Sequence, residues 1–392
     1  MAITTDKYRH KIKIMYEQDG TLKEFGKESI TNLIVNYDYD KYNMPLMFLK
    51  ISLEKTLIDD MIKNKSKKFI TLYIDKFVYG QSIQIYSSYV KDQFIYFMDE
   101  NLNDNNSLDY NSANSDSTNQ RLITIGLMKL ANINDNKCTI SGIYNNVGLL
   151  ELLLSNLTHM KLLMEPLPKN QEVTNFSIPI LNSVIKFIDY VSNQYSVYNT
   201  NYRFFIDFDK TYLLSSVGKS VPSSDEKYNK VIFQVADIAS TNSRIEGMTI
   251  DDNAQCYIIH LTNTDLNMFQ NKAVTMNNNT LVGVDSQGNT TTVALNNDST
   301  IDTKSKVEVI KTTNLDNISN IKNSIDTNNT IINIIKSEID STILTINKEY
   351  IIQGHSDTRI NGNYLLASKK EIYTRKDDDF SINCIFTLRK IS

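Results

Sequence analysis

Asn175-Phe-Ser-Ile-Pro-Ile180, an amphipathic run to Tyr198, and Arg203-Phe-Phe-Ile-Asp-Phe-Asp-Lys-Thr-Tyr-Leu-Leu214 together form the stretch that decides the fold. Phe204, Ile206 and Phe208 alternate with Phe205, Asp207 and Asp209, the period of two that gives a strand two different faces. Asp209 and Lys210 supply a tight corner, and Tyr212 to Leu214 begin a return strand. Upstream, Ile180, Val184, Phe187, Ile188 and Val191 recur at helical spacing. Pro179 falls near the first turn, where its missing N–H costs little. The pattern predicts a helix leading into an aromatic antiparallel hairpin.

The same residues admit an enzymatic reading. Phe205 to Leu213 resembles the first motif of haloacid-dehalogenase-type phosphotransferases, a hydrophobic strand followed by Asp-x-Asp-x-Thr. That resemblance implies Asp207 as nucleophile and Asp209 as general acid, with magnesium between them, because both carboxylates must reach one phosphoryl group. Such a site needs a parallel sheet, and so a crossover, usually helical, after the motif strand. Instead Tyr212 to Ser215 is followed by the loop Gly218 to Glu226 and the strand-like Val231 to Val235, with no helical period between them. Lys210 stands where that family has glycine. The motif lacks its context.

In its order of elements the stretch resembles the central baseplate hub proteins of contractile-tailed bacteriophages. The likeness is carried by Ser177, Ile178 and Pro179 opening the helix, Tyr195 to Tyr198 closing it, and the run Phe204, Phe205, Asp207, Phe208, Asp209, Tyr212, Leu213, Leu214. Under it, Ile178, Pro179, Phe204, Phe205, Asp207, Phe208, Asp209 and Tyr212 are structural motif residues. The resemblance implies an α+β, mostly β fold with two tail-tube-like antiparallel β-barrels per chain, a small α/β domain and an inserted domain. It further implies a homotrimer whose six barrels surround a channel, so that a hexameric tail tube meets a trimeric central spike.

Composition is compatible with such a part. The 392 residues suffice for two to four domains. The net charge is −4, with Lys and Arg scattered, which argues against a dedicated nucleic-acid binder. The start Met1 to His10 has no apolar signal core, and no apolar run is long enough to cross a bilayer. The three cysteines, Cys138, Cys256 and Cys384, are odd in number and far apart, as expected of reduced residues in a chain assembled in a host cytoplasm.

Along the chain, residues 1–99 read as the first β-barrel. Tyr8, His10, Ile12 and Ile14 alternate, as do Leu33, Val35, Tyr37 and Tyr39; Met47 to Leu53 and Ile70 to Ile74 add strands, with a short helix through Leu57, Ile58, Met61 and Ile62. Residues 100–120 are rich in Asn, Asp and Ser and read as an exposed loop. Residues 121–200 read as the α/β domain, with a helix capped by Asn145 or Asn146 and faced by Val147, Leu150, Leu153, Leu154 and Leu157. The second barrel is split, 201–245 and 340–392, around an inserted domain at 246–339. That insertion holds an Ile run at helical spacing, Ile318, Ile321, Ile325, Ile331, Ile335 and Ile339. The pair Asn361-Gly362 signals a hairpin, and Asp377 to Asp379 a solvated turn.

Other candidate sites lack partners. Gly218-Lys219-Ser220 looks like the end of a phosphate-binding loop, but Leu213 occupies the first glycine's place. Cys256 and His260 are four apart, yet Tyr257 to Leu261 reads as a strand and no second pair exists. His10, His159 and His355 have no Ser or Cys motif beside them.

The expectation is a structural, non-enzymatic virion protein without cofactors or metals, lying at the tail baseplate. Its expected partners are its own copies, the tail tube protein, the central spike protein and other baseplate proteins, with phage DNA passing through the channel unread. The spike and any lytic activity are expected on separate chains. The alternatives are a magnesium phosphotransferase using Asp207 and Asp209, and a tail-associated peptidoglycan hydrolase.

Overall fold

The computed structural model describes residues 2–4, 7–39, 44–65, 67–79, 87–98, 120–168, 170–195, 197–198, 202–207, 210–215, 228–236, 248–270, 280–284, 290–294, 307–311, 330–346 and 348–391. The loop at 100–119, the turn residues Phe208 and Asp209, the Gly218 loop, and Ile318, Ile321 and Ile325 lie outside them.

Alternation of apolar and polar residues produces long strands, and their pairing closes a ring. Gly362–Lys376 pairs with Ile30–Asp38, which pairs with Leu46–Glu54; Gln120–Lys129, Ser87–Met98, Ile70–Tyr79 and Lys7–Gln18 follow in turn. Lys7–Gln18 then meets Asp379–Lys390, the hairpin partner of Gly362–Lys376, and the circuit is complete. All eight pairings are antiparallel. Gln120–Lys129, placed by sequence in the α/β segment, therefore pairs on both sides within this first barrel.

Inward residues such as Ile12, Ile14, Leu33, Leu49, Leu72 and Phe94 are fully buried, so the barrel interior is a packed core. The helix Lys55–Asn64 adds Leu57, Ile58 and Met61 to it. Tyr96 donates to the Met61 carbonyl at 2.8 Å, and Tyr16 to Asp60 at 2.8 Å.

The same hairpin serves a second array. Beyond a bulge between Leu366 and Ser368, Gly362–Lys376 pairs with Glu349–Gln353; Asp379–Lys390 pairs with Thr330–Ser337 over Asn383 to Arg389. The array continues on one side through Lys230–Ala236, Cys256–Thr262, Met248–Asp251 and Ala2–Thr4, and on the other to Leu266–Gln270. Lys230–Ala236 runs parallel to both neighbours; the array is otherwise antiparallel. The two arms are linked covalently, because Cys256–Thr262, inside one arm, turns through Asn263–Asp265 into Leu266–Gln270, the last strand of the other. Thr262 and Asp265 cap that turn reciprocally, and Lys336 anchors it at 3.2 Å from Asp265.

Four strands read as part of the 246–339 insertion, Met248–Asp251, Cys256–Thr262, Leu266–Gln270 and Thr330–Ser337, thus pair inside this array. Thr330–Ser337 is a strand, not the helix that Ile331, Ile335 and Ile339 suggested: Ile332 and Ile334 are buried while Ile335 is 40% exposed. Thr280–Val284, Thr290–Ala294 and Val307–Lys311 make a separate three-stranded sheet.

A second core belongs to the α/β unit. The helix Leu149–Asn156 buries Leu149, Leu152 and Leu153. Its N-cap is Gly148, not Asn145 or Asn146; Asn146 sits at φ 53° in the preceding turn. The helix Val184–Tyr195 buries Val184, Phe187, Ile188 and Val191 as predicted, but it begins later than expected. Phe176–Leu181 is a strand paired with Ile140–Tyr144, and Pro179 lies where the register shifts between Ile178 and Leu181. A bulge tolerates proline because its residue has no ladder hydrogen bond to lose. Ile178 is buried, whereas Ile180, assigned by spacing to the helix, is 80% exposed.

Candidate functional site: the barrel junction and the aromatic hairpin

The hairpin Tyr202–Asp207 and Lys210–Ser215 forms as an antiparallel pair, Phe204 opposite Leu213 and Phe205 opposite Tyr212; Lys210, expected at the corner, is the first residue of the return strand and pairs with Asp207. Its third strand is Leu162–Met164, parallel to Lys210–Ser215. Tyr198 holds this edge: its hydroxyl proton lies between the carbonyls of Leu213 at 2.7 Å and Glu165 at 2.9 Å. The two faces divide as alternation requires. Phe204, Ile206 and Leu213 enter the α/β core, while Phe205, Tyr212 and Leu214 enter the barrel core. The hairpin is a layer shared by two cores.

From Phe205 a chain of rings runs into the first barrel. Phe205 stacks on Tyr212 at 5.2 Å and meets Tyr39 edge-to-face at 5.2 Å; Tyr39 stacks with Tyr37 at 6.1 Å. The Tyr39 N–H donates to the Ala367 carbonyl at 2.8 Å, at the bulge where the shared strand passes from the second array to the first barrel. The Tyr37 hydroxyl donates to Glu371 at 3.2 Å, and Lys369 Nζ lies 4.3 Å from the Tyr37 ring.

Lys369, Glu371 and Tyr373 share the inward face of Gly362–Lys376, and all are buried. Lys369 lies 3.2 Å from Glu371, and Tyr373 donates to the same carboxylate at 2.9 Å. Burial alone would lower the Lys369 ammonium, but Glu371 and Asp207 reverse the direction and hold it raised. Burial would raise Glu371, and Lys369 with its hydrogen-bond donors brings it below its ordinary value. Both groups are therefore charged, which a buried pair sustains only when fully hydrogen-bonded.

Two further pairs tie the first barrel to the segment after Thr330–Ser337. Arg9 lies 2.9 Å from Glu338, and Lys76 lies 2.9 Å from Asp340. Between them sits His10, buried and edge-on to Tyr373 at 5.0 Å. Burial pushes its pKa down to about 4, against the upward pull of Glu371 and Asp340. Burial also pushes the Cys384 thiol well up, so it is no thiolate nucleophile.

Of the motif residues, Phe204, Phe205 and Tyr212 are therefore brought together and Ile178 joins the α/β core. Pro179 lies at the surface of that unit. Asp207, half-buried and opposite Lys210, acts electrostatically on Tyr39 and Lys369. Its strand is the edge of a small sheet, bonded antiparallel to its successor, so the parallel crossover of a phosphotransferase is replaced by a hairpin. Cys256 and His260 share a strand; the His260 ring meets Thr249 Oγ1 at 2.9 Å. Among the described residues no group of three His, Cys, Asp or Glu could hold a metal ion.

The sequence reading missed Lys369, Glu371 and Tyr373, and it placed His10 in a strand's alternation without these charges beside it. Simple alternation gave no signal: the bulge between Leu366 and Ser368 shifts the phase, so Lys369, Glu371 and Tyr373 turn inward although they are out of step with Tyr364 and Leu366. The arrangement ties the first barrel, the second array and the α/β unit together through buried charge and stacked rings.

No protein-family model matches the sequence, and no curated protein matches it closely enough to count as a relative. Among solved structures the chain is similar to the tail protein of Neisseria meningitidis MC58, with a TM-score of 0.54 and 9% identity over 98% of this chain and 97% of that one. The 43 kDa tail protein of prophage MuSo2 from Shewanella oneidensis gives 0.48 and 9%, covering 97% of both chains. A Francisella PdpA–VgrG complex in its lidded form gives 0.46 and 13%, covering 98% of this chain and 53% of that one. At 9% identity, the likeness to the Neisseria protein is one of fold. The chain has the mostly β architecture of a solved tail protein along nearly its whole length.

Proposed function

We propose that this chain is a structural subunit of a contractile tail, the trimeric hub that joins a hexameric tail tube to a trimeric central spike. The observation that carries the reading is the hairpin Gly362–Lys390, which supplies strands to two barrels at once. Two barrels per chain make six in a trimer, the duplication needed to match sixfold to threefold symmetry. The first barrel is filled by side chains, so DNA would pass between subunits and not through that barrel. The end-to-end fold likeness to a tail protein supports the same reading.

On this reading the domains are the two barrels, the α/β unit between them, and an insertion carried between Leu266–Gln270 and Thr330–Ser337. The protein is a non-enzymatic virion component of the baseplate, assembled in the host cytoplasm. Its partners are its own copies, the tube, the spike and other baseplate proteins. The test is sedimentation of the full chain alone and mixed with its tube and spike proteins. A trimer that captures both partners is expected; a chain that remains monomeric with both present would overturn the hub.

A further inference from the structure

Asn361-Gly362 is the one Asn-Gly pair in the sequence, and the fold does not use it as a two-residue turn. The connection from Glu349–Gln353 to Gly362–Lys376 runs through residues 354–361, and Gly362, at φ 143°, is already in register opposite Ile352. Polar groups of the connection hold it in shape. Asp357 accepts from the Arg359 N–H at 3.0 Å and from its guanidinium at 2.7 Å, while the Asp357 N–H donates to His355 Nδ1 at 2.9 Å. Lys390 Nζ donates to the carbonyls of Arg359 at 2.6 Å and Asn361 at 2.9 Å.

Asn361 closes the connection. Its Oδ1 accepts from the His355 N–H at 3.0 Å, and its Nδ2 donates to the His355 carbonyl at 2.9 Å. Both ends of one side-chain amide are thus paired with both polar groups of one backbone residue. A carboxylate in its place has acceptors only and would set an oxygen against the His355 carbonyl.

Asparagine before glycine is also the pairing most prone to lose its amide. The glycine nitrogen, with no Cβ beside it to hinder approach, attacks the asparagine Cγ. The N–Cγ bond forms, the Cγ–Nδ2 bond breaks, and ammonia leaves with the proton of the glycine nitrogen. Water then opens the cyclic imide at either carbonyl, giving aspartate or isoaspartate, and isoaspartate adds a methylene to the backbone. Ring closure expels Nδ2, so it cannot proceed without giving up the pairing with His355.

We propose that Asn361 is a spontaneous deamidation site guarded by the fold. The chain converts there while the connection is open, and once converted it cannot rebuild the pairing. The strand that starts at Gly362 serves both the first barrel and the second array, so a lesion at its threshold marks chains that linger unfolded and spares folded ones.

The test holds the full chain at neutral pH in buffer and in urea, and follows the peptide carrying Asn361 by mass spectrometry for aspartate and isoaspartate. Conversion should run ~10-fold or more faster in urea, the factor by which two hydrogen bonds that must open first deplete the reactive population. Asn361→Asp, a product of the reaction, should unfold at a lower urea concentration than the parent. Equal rates in buffer and urea would overturn the guard, and no conversion in urea would remove the site. An Asn361→Asp chain as stable as the parent would show that the connection does not need the amide, which also overturns the proposal. If that variant does not fold at all, it agrees with the proposal, and the rate comparison on the parent decides.

Discussion

Lys369 and Glu371, two residues apart on one strand, put their charged groups 3.2 Å from each other in a site where neither touches solvent appreciably. The strand belongs to both the first barrel and the second array, so the pair sits at the seam between them. Removing one member leaves an uncompensated buried charge. Glu371→Gln should cost about 3–5 kcal/mol in chemical denaturation, and Lys369→Met a similar amount. The double variant Lys369→Met/Glu371→Leu should recover most of either loss. A double variant as unstable as the sum of the singles would show that the two groups do not act as a pair.

His10 gives the molecule an acid limit. Its folded pKa of about 4 lies below the ordinary 6.5, so the unfolded chain binds a proton first as pH falls. Stability from this group is complete above pH 6.5 and declines progressively toward pH 4. Glu371, also lowered in the folded state, loses its contribution at lower pH than His10, beneath the ordinary carboxylate value. The melting temperature should therefore start to fall below pH 6.5, and His10→Phe, which keeps a ring against Tyr373, should flatten the slope between pH 6.5 and 4. An unchanged slope would assign the acid limit to other groups.

Phe205 holds the α/β unit to the barrels. Its ring is completely buried against Tyr39 and Tyr212. Phe205→Ala should destabilise by about 3–5 kcal/mol. Hydrogen exchange should rise first in Tyr202–Ser215 and around Tyr39. Loss confined to the α/β helices would contradict the shared-layer arrangement.

Asp207 tests the enzymatic alternative. The protein should show no magnesium-dependent hydrolysis of a generic phosphate ester, and Asp207→Asn should change nothing in that assay. Hydrolysis abolished by this substitution would make the hairpin a catalytic site after all.

Deleting residues beyond 345 should abolish soluble expression, because it removes two strands from the closed first barrel and three from the second array, two of them the strands both share. A soluble truncated protein retaining strand circular dichroism and a cooperative melt would refute the shared-hairpin architecture.

Faces were legible in the sequence, and partners were not. Alternation located Ile30–Asp38, Leu46–Glu54 and the aromatic hairpin, because burial on one side imposes a period of two. It could not show that Ser368 to Thr374 pairs with Asp38 to Asn32, since alternation carries no information about which distant strand lies alongside. Pro179 misled because proline serves a first helical turn and a strand bulge equally well, for the same missing N–H. Ile331, Ile335 and Ile339 misled because isoleucine also occupies the neighbouring positions 332 and 334, and an apolar run on both phases fits either period. The charged seam was illegible for a different reason: Lys369, Glu371 and Arg9 resemble surface residues until the barrel is closed around them.

The pairing of Lys7–Gln18 with Asp379–Lys390 also sets a timetable. During synthesis the early strands emerge with their bonding edges open, and no order of local folding can close the first barrel until the strands that seal it have left the ribosome. Nascent chains must wait with the edges of Lys7–Gln18 and Ile30–Asp38 unpaired, exposed to other strands. A chain built this way depends on rapid completion or on chaperone shielding. Its folding yield in a heterologous host should be limited by translation speed more than by the stability of the finished molecule.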